Sequence, residues 1–148
     1  MPTLAQIVVH PVSSTPSGYG YEFTPKHHGA DPKAAQWLPA LTLDEEFSVF
    51  DMADQHNFVA SCGTLYGLLT AGGVVRTIGV WGEQLAEFPV ASPGSNWHGY
   101  PVYPLVDFGP PKKRGQAGRP EKKVLDEMLG KEVIAKPAHK RLMKGDHV

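Results

Sequence analysis

The chain has 148 residues, 41% of them apolar and 20% charged, with 16 Gly and 14 Pro. That is one ordinary domain with a real core and many turns, which excludes a disordered chain and a plain helical bundle. The single cysteine, Cys62, excludes an internal disulfide and a zinc site built on paired thiolates.

The formal charge of −1 hides a division. Residues 1–110 hold three Lys/Arg against ten Asp/Glu, a net −7, whereas residues 111–148 hold eleven against five, a net +6. Such asymmetry points to a polyanionic partner, or to a basic tail lying on its own acidic body. The expected organisation is an acidic α+β body over 1–108, a basic Pro/Gly linker over 109–118 and a basic helical tail over 119–148. Met1–Ser13 lacks the basic start of a signal peptide, so a reducing cytoplasmic setting is expected.

In chain order, Ala5–His10 and Tyr19–Thr24 have β-type patterns, the second with Tyr19, Tyr21 and Phe23 alternating. Asp31 followed by Pro32 predicts the cap and first residue of a short helix through Leu38. Leu43–Phe50 fits either a strand or a helix; Thr42 and Glu45 have the spacing of a capping box. Phe58, Cys62, Leu65 and Leu69 form a stripe at helical spacing, which predicts the main amphipathic helix, stopped by Gly72-Gly73. Asn57–Val75 carries no charge, but its four glycines and one-sided hydrophobes favour that helix followed by a strand over a membrane span. Val74–Trp81 reads as a core strand and Leu85–Val90 as another. Trp97–Val106 sets aromatics between prolines and predicts an extended edge segment. Beyond Arg119, Val124, Leu125, Met128 and Leu129 predict one helix ended by Gly130, and Pro137–Lys144 a second. The fold class is therefore α+β: a small mixed or antiparallel sheet with one main amphipathic helix, followed by a basic helical segment.

Three functions compete. The first is nucleic-acid binding: Lys112, Lys113, Arg114, Arg119, Lys122, Lys123, Lys140, Arg141 and Lys144 would contact phosphates, and Trp97, Tyr100 and Tyr103 would stack bases. Within that segment, Pro111-Lys112-Lys113-Arg114-Gly115 followed by Gly118-Arg119-Pro120 resembles an AT-hook, interrupted by Gln116-Ala117. The resemblance covers about ten residues and implies contact with a nucleic-acid minor groove. The second is an enzyme acting on nucleic acid or nucleotides, with His98 as acid or base and Glu83 (or Glu87) to orient it. The third is an inhibitor or immunity-type protein whose acidic body meets a basic target. His27-His28 with Asp31, and His56 with Asp51 and Asp54, have ligand chemistry without ligand spacing and read as polar loops. No cofactor or metal is called for: the phosphate-loop, nucleophile-elbow and zinc-helix signatures are absent from the sequence.

Overall fold

In the computed structural model the described residues are 18–31, 34–71, 73–104, 117–118 and 122–143. Six strands and three helices follow one another as α1 (Leu43–His56), β1 (Leu65–Gly67), β2 (Thr70–Ala71), β3 (Val74–Val75), β4 (Leu85–Phe88), β5 (Tyr100–Pro104), β6 (Ala117–Gly118), α2 (Lys122–Gly130) and α3 (Lys136–Met143). The main sheet has the order β1-β4-β5-β6, antiparallel except for β5 with β6, and β2 and β3 form a separate two-stranded ribbon. The class is α+β.

The pleat assigns the two faces of the sheet. Register sets Tyr66 opposite Glu87 and Glu87 opposite Tyr100, and sets Leu85 opposite Val102. Tyr66, Leu68, Leu85 and Val102 point to one side and form a buried cluster with Val124, Leu125 and Met128 of α2 and Ala138 and Leu142 of α3. Leu65, Ala86 and Phe88 alternate to the other side and pack with Val49, Phe50 and Ala53 of α1, joined by Tyr21, Trp37 and Trp97. Strand alternation thus divides the core into two apolar layers with the sheet between them. The segment 122–143 supplies six of the thirteen buried residues of the first of these layers, so the basic tail and the acidic body share buried surface.

α1 starts where the capping box predicts. Thr42 Oγ1 accepts from the Glu45 amide at 3.1 Å and Glu45 Oε1 accepts from the Thr42 amide at 3.0 Å. Three acidic residues in the first turn suit the positive end of the helix dipole, and Asn57 ends it in the left-handed conformation at φ 56°. α1 approaches β1 closely because position 67 is glycine: a Cβ there would lie 2.9 Å from Val49 Cγ1 and closer still to the Val49 carbonyl.

Several sequence expectations give way. The main helix is α1 at 43–56; the stripe Phe58–Leu69 is a tight hairpin running into β1. Gly63, at φ 94°, donates to Ala60 O, Ala60 donates to Thr64 O and Tyr66 donates to Phe58 O. Phe58 and Leu65 are buried, as a helical stripe requires, but Cys62 is exposed at the turn. Ala34–Leu38 forms no helix; Trp37 bridges Gly79 in extended conformation, and the Leu38 amide donates to Ile78 O. Of the strand at 74–81 only Val74–Val75 is regular, because the Ile78 and Gly79 amides both turn back to Glu83 O. Val80 and Trp81 are consequently exposed at the tip of that turn. Of Tyr19–Thr24, only Gly20 and Tyr21 make bridges, Tyr21 parallel to Trp97; Tyr21 is buried and Tyr19 exposed. β5 is an inner strand between β4 and β6. The expected strand at 5–10 and the stretch 105–116 lie outside the described residues.

Candidate functional site

One cleft of about 550 Å³ opens where the loop 24–35 meets the start of β5. Thr24, Lys26, His27, Asp31, His98 and Tyr100 supply its polar lining, with Ala34, Ala35 and Pro89 between them. The loop holds its shape through Gln36. Its amide nitrogen donates to Lys26 O at 2.9 Å and Asp31 O at 2.7 Å, and its oxygen accepts from the Gly29 amide at 2.5 Å. Trp37 then joins both walls. Its backbone amide donates to His27 O at 3.1 Å, and its indole Nε1 donates to Gly99 O at 3.2 Å. His98 therefore stands next to a residue held by the same Trp37 that anchors the loop.

Gly99 is required by space, not by φ. A Cβ there would lie 2.6 Å from Glu87 O and closer still to the Phe88 ring.

His27 is buried at 7% exposure, packed against the Tyr100 ring with centroids 4.9 Å apart. Its Nδ1 lies 2.8 Å from Ala35 O. A carbonyl only accepts, so Nδ1 carries the proton and Nε2 of the neutral ring is an acceptor. Burial lowers the affinity of His27 for a second proton, and the charges of Lys26, His98 and His28 lower it further, against the opposing pull of Ala35 O. Thr24 Oγ1, on the same wall, is buried without a hydrogen-bond partner. His98 is exposed.

Two carboxylates support the site from within. Glu87 accepts from Tyr66 Oη at 2.7 Å and from Tyr100 Oη at 2.8 Å, so one side chain bonds across three strands. Burial, and then the bond to Glu87, raise the pKa of both phenols. Glu46, buried in the first turn of α1, accepts from Tyr21 Oη at 2.6 Å. His28 Nε2 stands 2.7 Å from its other oxygen, close enough for an ion pair but off the line of a hydrogen bond. Burial first, then the Glu46 charge, raise the Tyr21 phenol well above its ordinary value.

The other residues singled out in the sequence are dispersed. Glu83 is not part of the cleft lining. It is buried in the 78–83 turn, where Oε1 accepts from the Trp81 amide at 2.8 Å, and burial raises its pKa. Trp97 is 6% exposed, its ring tilted against those of Tyr19 and Phe50. Tyr100 does line the cleft; the side chain of Tyr103 lies outside the described residues. Among the basic residues, Lys122, Lys123, Lys140 and Arg141 are exposed on α2 and α3, and Lys112, Lys113, Arg114, Arg119 and Lys144 lie outside the described residues.

In the sequence His27 reads as part of an exposed polar loop; its burial is a product of packing against Tyr100, 73 positions away. His56 stacks on Phe58 with centroids 5.2 Å apart. No group of three His, Cys, Asp or Glu fit to hold a metal occurs among the described residues, and no helix among them is long and apolar enough to cross a membrane. No family model, curated protein or solved structure matches the chain.

Proposed function

We propose that the protein is a small cytoplasmic nucleic-acid-binding protein that grips phosphates through the outer face of α2 and α3. One observation carries this reading: among the described residues the side chains of Lys123, Lys136, Lys140 and Arg141 are exposed and make no hydrogen bond or ion pair, while the salt bridges of α2 and α3, Lys122 and His139 to Asp126, stay inside the pair of helices. Of the tail's exposed cations, Lys131 alone among the described residues reaches the body, donating to His56 O; pairing of the other cations with the body's carboxylates would support the opposite reading, that the basic charge is spent internally. The apolar faces of the same helices are committed to the core, so the basic face is held rigidly outward. Phosphate contacts of this kind give affinity without base specificity. The exposed thiol of Cys62 suits a reducing compartment.

Fluorescence anisotropy of labelled RNA and DNA across a salt series tests the proposal. Four free cations predict a log–log slope of about −3 on a single strand, from roughly −0.7 per phosphate. Replacing Lys140 and Arg141 by alanine should reduce its magnitude by about 1.5. No binding at low salt would refute the reading and favour a protein partner for the acidic body.

A further inference from the structure

The cleft sets a buried imidazole with Nδ1 at Ala35 O, an exposed second imidazole and an ammonium around one volume. We propose that this cleft cleaves RNA without a metal, by transferring a phosphodiester to its neighbouring 2′-hydroxyl, with His27 as general base and His98 as general acid. The inference rests on nucleic acid being the partner and narrows it to RNA.

Each group has a use in that reaction, and the ligand chemistry follows from the set. An acceptor nitrogen beside cationic donors fits a ligand that offers a hydroxyl next to a phosphate. A phosphodiester with a 2′-hydroxyl is such a ligand; a deoxyribose strand lacks the hydroxyl. His27 Nε2 takes the proton of the 2′-hydroxyl. The 2′-oxygen forms a bond to phosphorus, the bond from phosphorus to the 5′-oxygen breaks, and its electron pair leaves on that oxygen. Protonated His98 gives the leaving oxygen its proton. The products are a 2′,3′-cyclic phosphate and a free 5′-hydroxyl. His27 has gained one proton and His98 has lost one, which solvent restores. The Lys26 ammonium stabilises the charge that builds on the non-bridging oxygens.

The Ala35 carbonyl has a positioning role: by holding Nδ1–H it fixes the tautomer in which Nε2 is basic. Burial keeps that ring unprotonated near neutral pH, as a base must be. The charged and titratable groups facing His27 are Lys26, His28, His98 and Asp31, with the Tyr100 phenol against its ring and Glu87 behind the phenol. Loss of activity at low pH should follow protonation of His27, whose burial disfavours the charged ring.

The test uses the full chain and the dinucleoside phosphate UpA, too short to need the basic face, with EDTA present. The expected result is release of a 2′,3′-cyclic phosphate, no turnover of the 2′-deoxy analogue, and a fall of about 10²–10⁴-fold in His98→Ala. His98 is exposed, so that variant should keep its fold, checked by circular dichroism. His27→Gln should fall by a similar factor and lose the acid limb of the profile; if it unfolds, His98→Ala and the deoxy control decide the matter. No cleavage by the wild type, cleavage abolished by EDTA, cleavage of the deoxy analogue, or full activity in His98→Ala would each overturn the proposal. Anisotropy with a 2′-O-methyl oligonucleotide, which cannot react, reads the basic face separately. Binding without UpA cleavage sinks only the catalytic inference, and cleavage without binding sinks only the basic-face reading.

Discussion

Leu125→Ala separates a shared core from an appended tail. Leu125 is fully buried in α2, in the cluster that includes Leu68, Leu85 and Val102 of the body. Truncating a buried leucine to alanine costs about 2–5 kcal/mol, by lost transfer energy and the cavity left behind. At a middle value of about 3 kcal/mol, and roughly 2–4 °C per kcal/mol for a domain of this size, Tm should fall by about 6–12 °C. With a urea m of about 2 kcal/mol per molar, the midpoint should fall by about 1.5 M. The reporter is tryptophan fluorescence, because Trp37 and Trp97 sit in the opposite apolar layer, beyond the sheet. Helix content by circular dichroism should follow the same curve. An unshifted tryptophan transition with an earlier loss of helix would refute the shared core and restore an independent body over 1–108. By the same reasoning, a chain ending at Phe108 should fail to melt cooperatively.

Other perturbations probe single features. Thr42→Ala removes the cap of α1 and should cost about 0.5–2 kcal/mol by urea denaturation. Gly67→Ala should destabilise strongly, since its Cβ would press on the Val49 carbonyl of α1; a neutral result would show that helix and sheet are farther apart. The folded state disfavours protonated His27, so the unfolded chain takes up that proton first as pH falls below about 6.5. Stability should therefore be full above that pH and decline beneath it, with a shallower decline in His27→Gln. Tyr21, Tyr66 and Tyr100 have raised pKa values in the fold, so their stabilisation holds below about pH 10 and is lost as pH rises further. Absorbance at 295 nm should show them ionising only together with unfolding; ionisation near pH 10 in the intact fold would contradict their burial against Glu87 and Glu46.

What the sequence discloses here is local. The capping box at Thr42 and Glu45 is visible because its partners are three residues apart, and the apolar stripes of α2 and α3 because their period is helical. The stripe Phe58–Leu69 misleads because burial in a hairpin can fall by coincidence at helical intervals; the contrary signal is Ser61-Cys62-Gly63-Thr64, where Gly63 turns the chain at φ 94°. The cleft is legible only in part. His98 stands out among aromatics, but its neighbours His27 and Lys26 come from a loop about 70 residues earlier in the chain, and only tertiary packing joins them. Glu83 attracts attention by its closeness in sequence, yet the turn at 78–83 takes its carboxylate inside.

The apolar face of Leu68, Val75, Leu85 and Val102 is covered by α2 and α3. Synthesis runs from the N-terminus, so this face is complete before the residues that cover it have been made. Until they arrive, a nascent chain presents an oily surface and short strands with open edges, the features that recruit chaperones and seed aggregation. A chain cut short within α2 would keep that surface for life, and a cell would meet it as a substrate for proteolysis. In this molecule a basic segment and the closing cover of the core are the same 22 residues, 122–143, so the chain cannot present its cationic face without having first sealed itself.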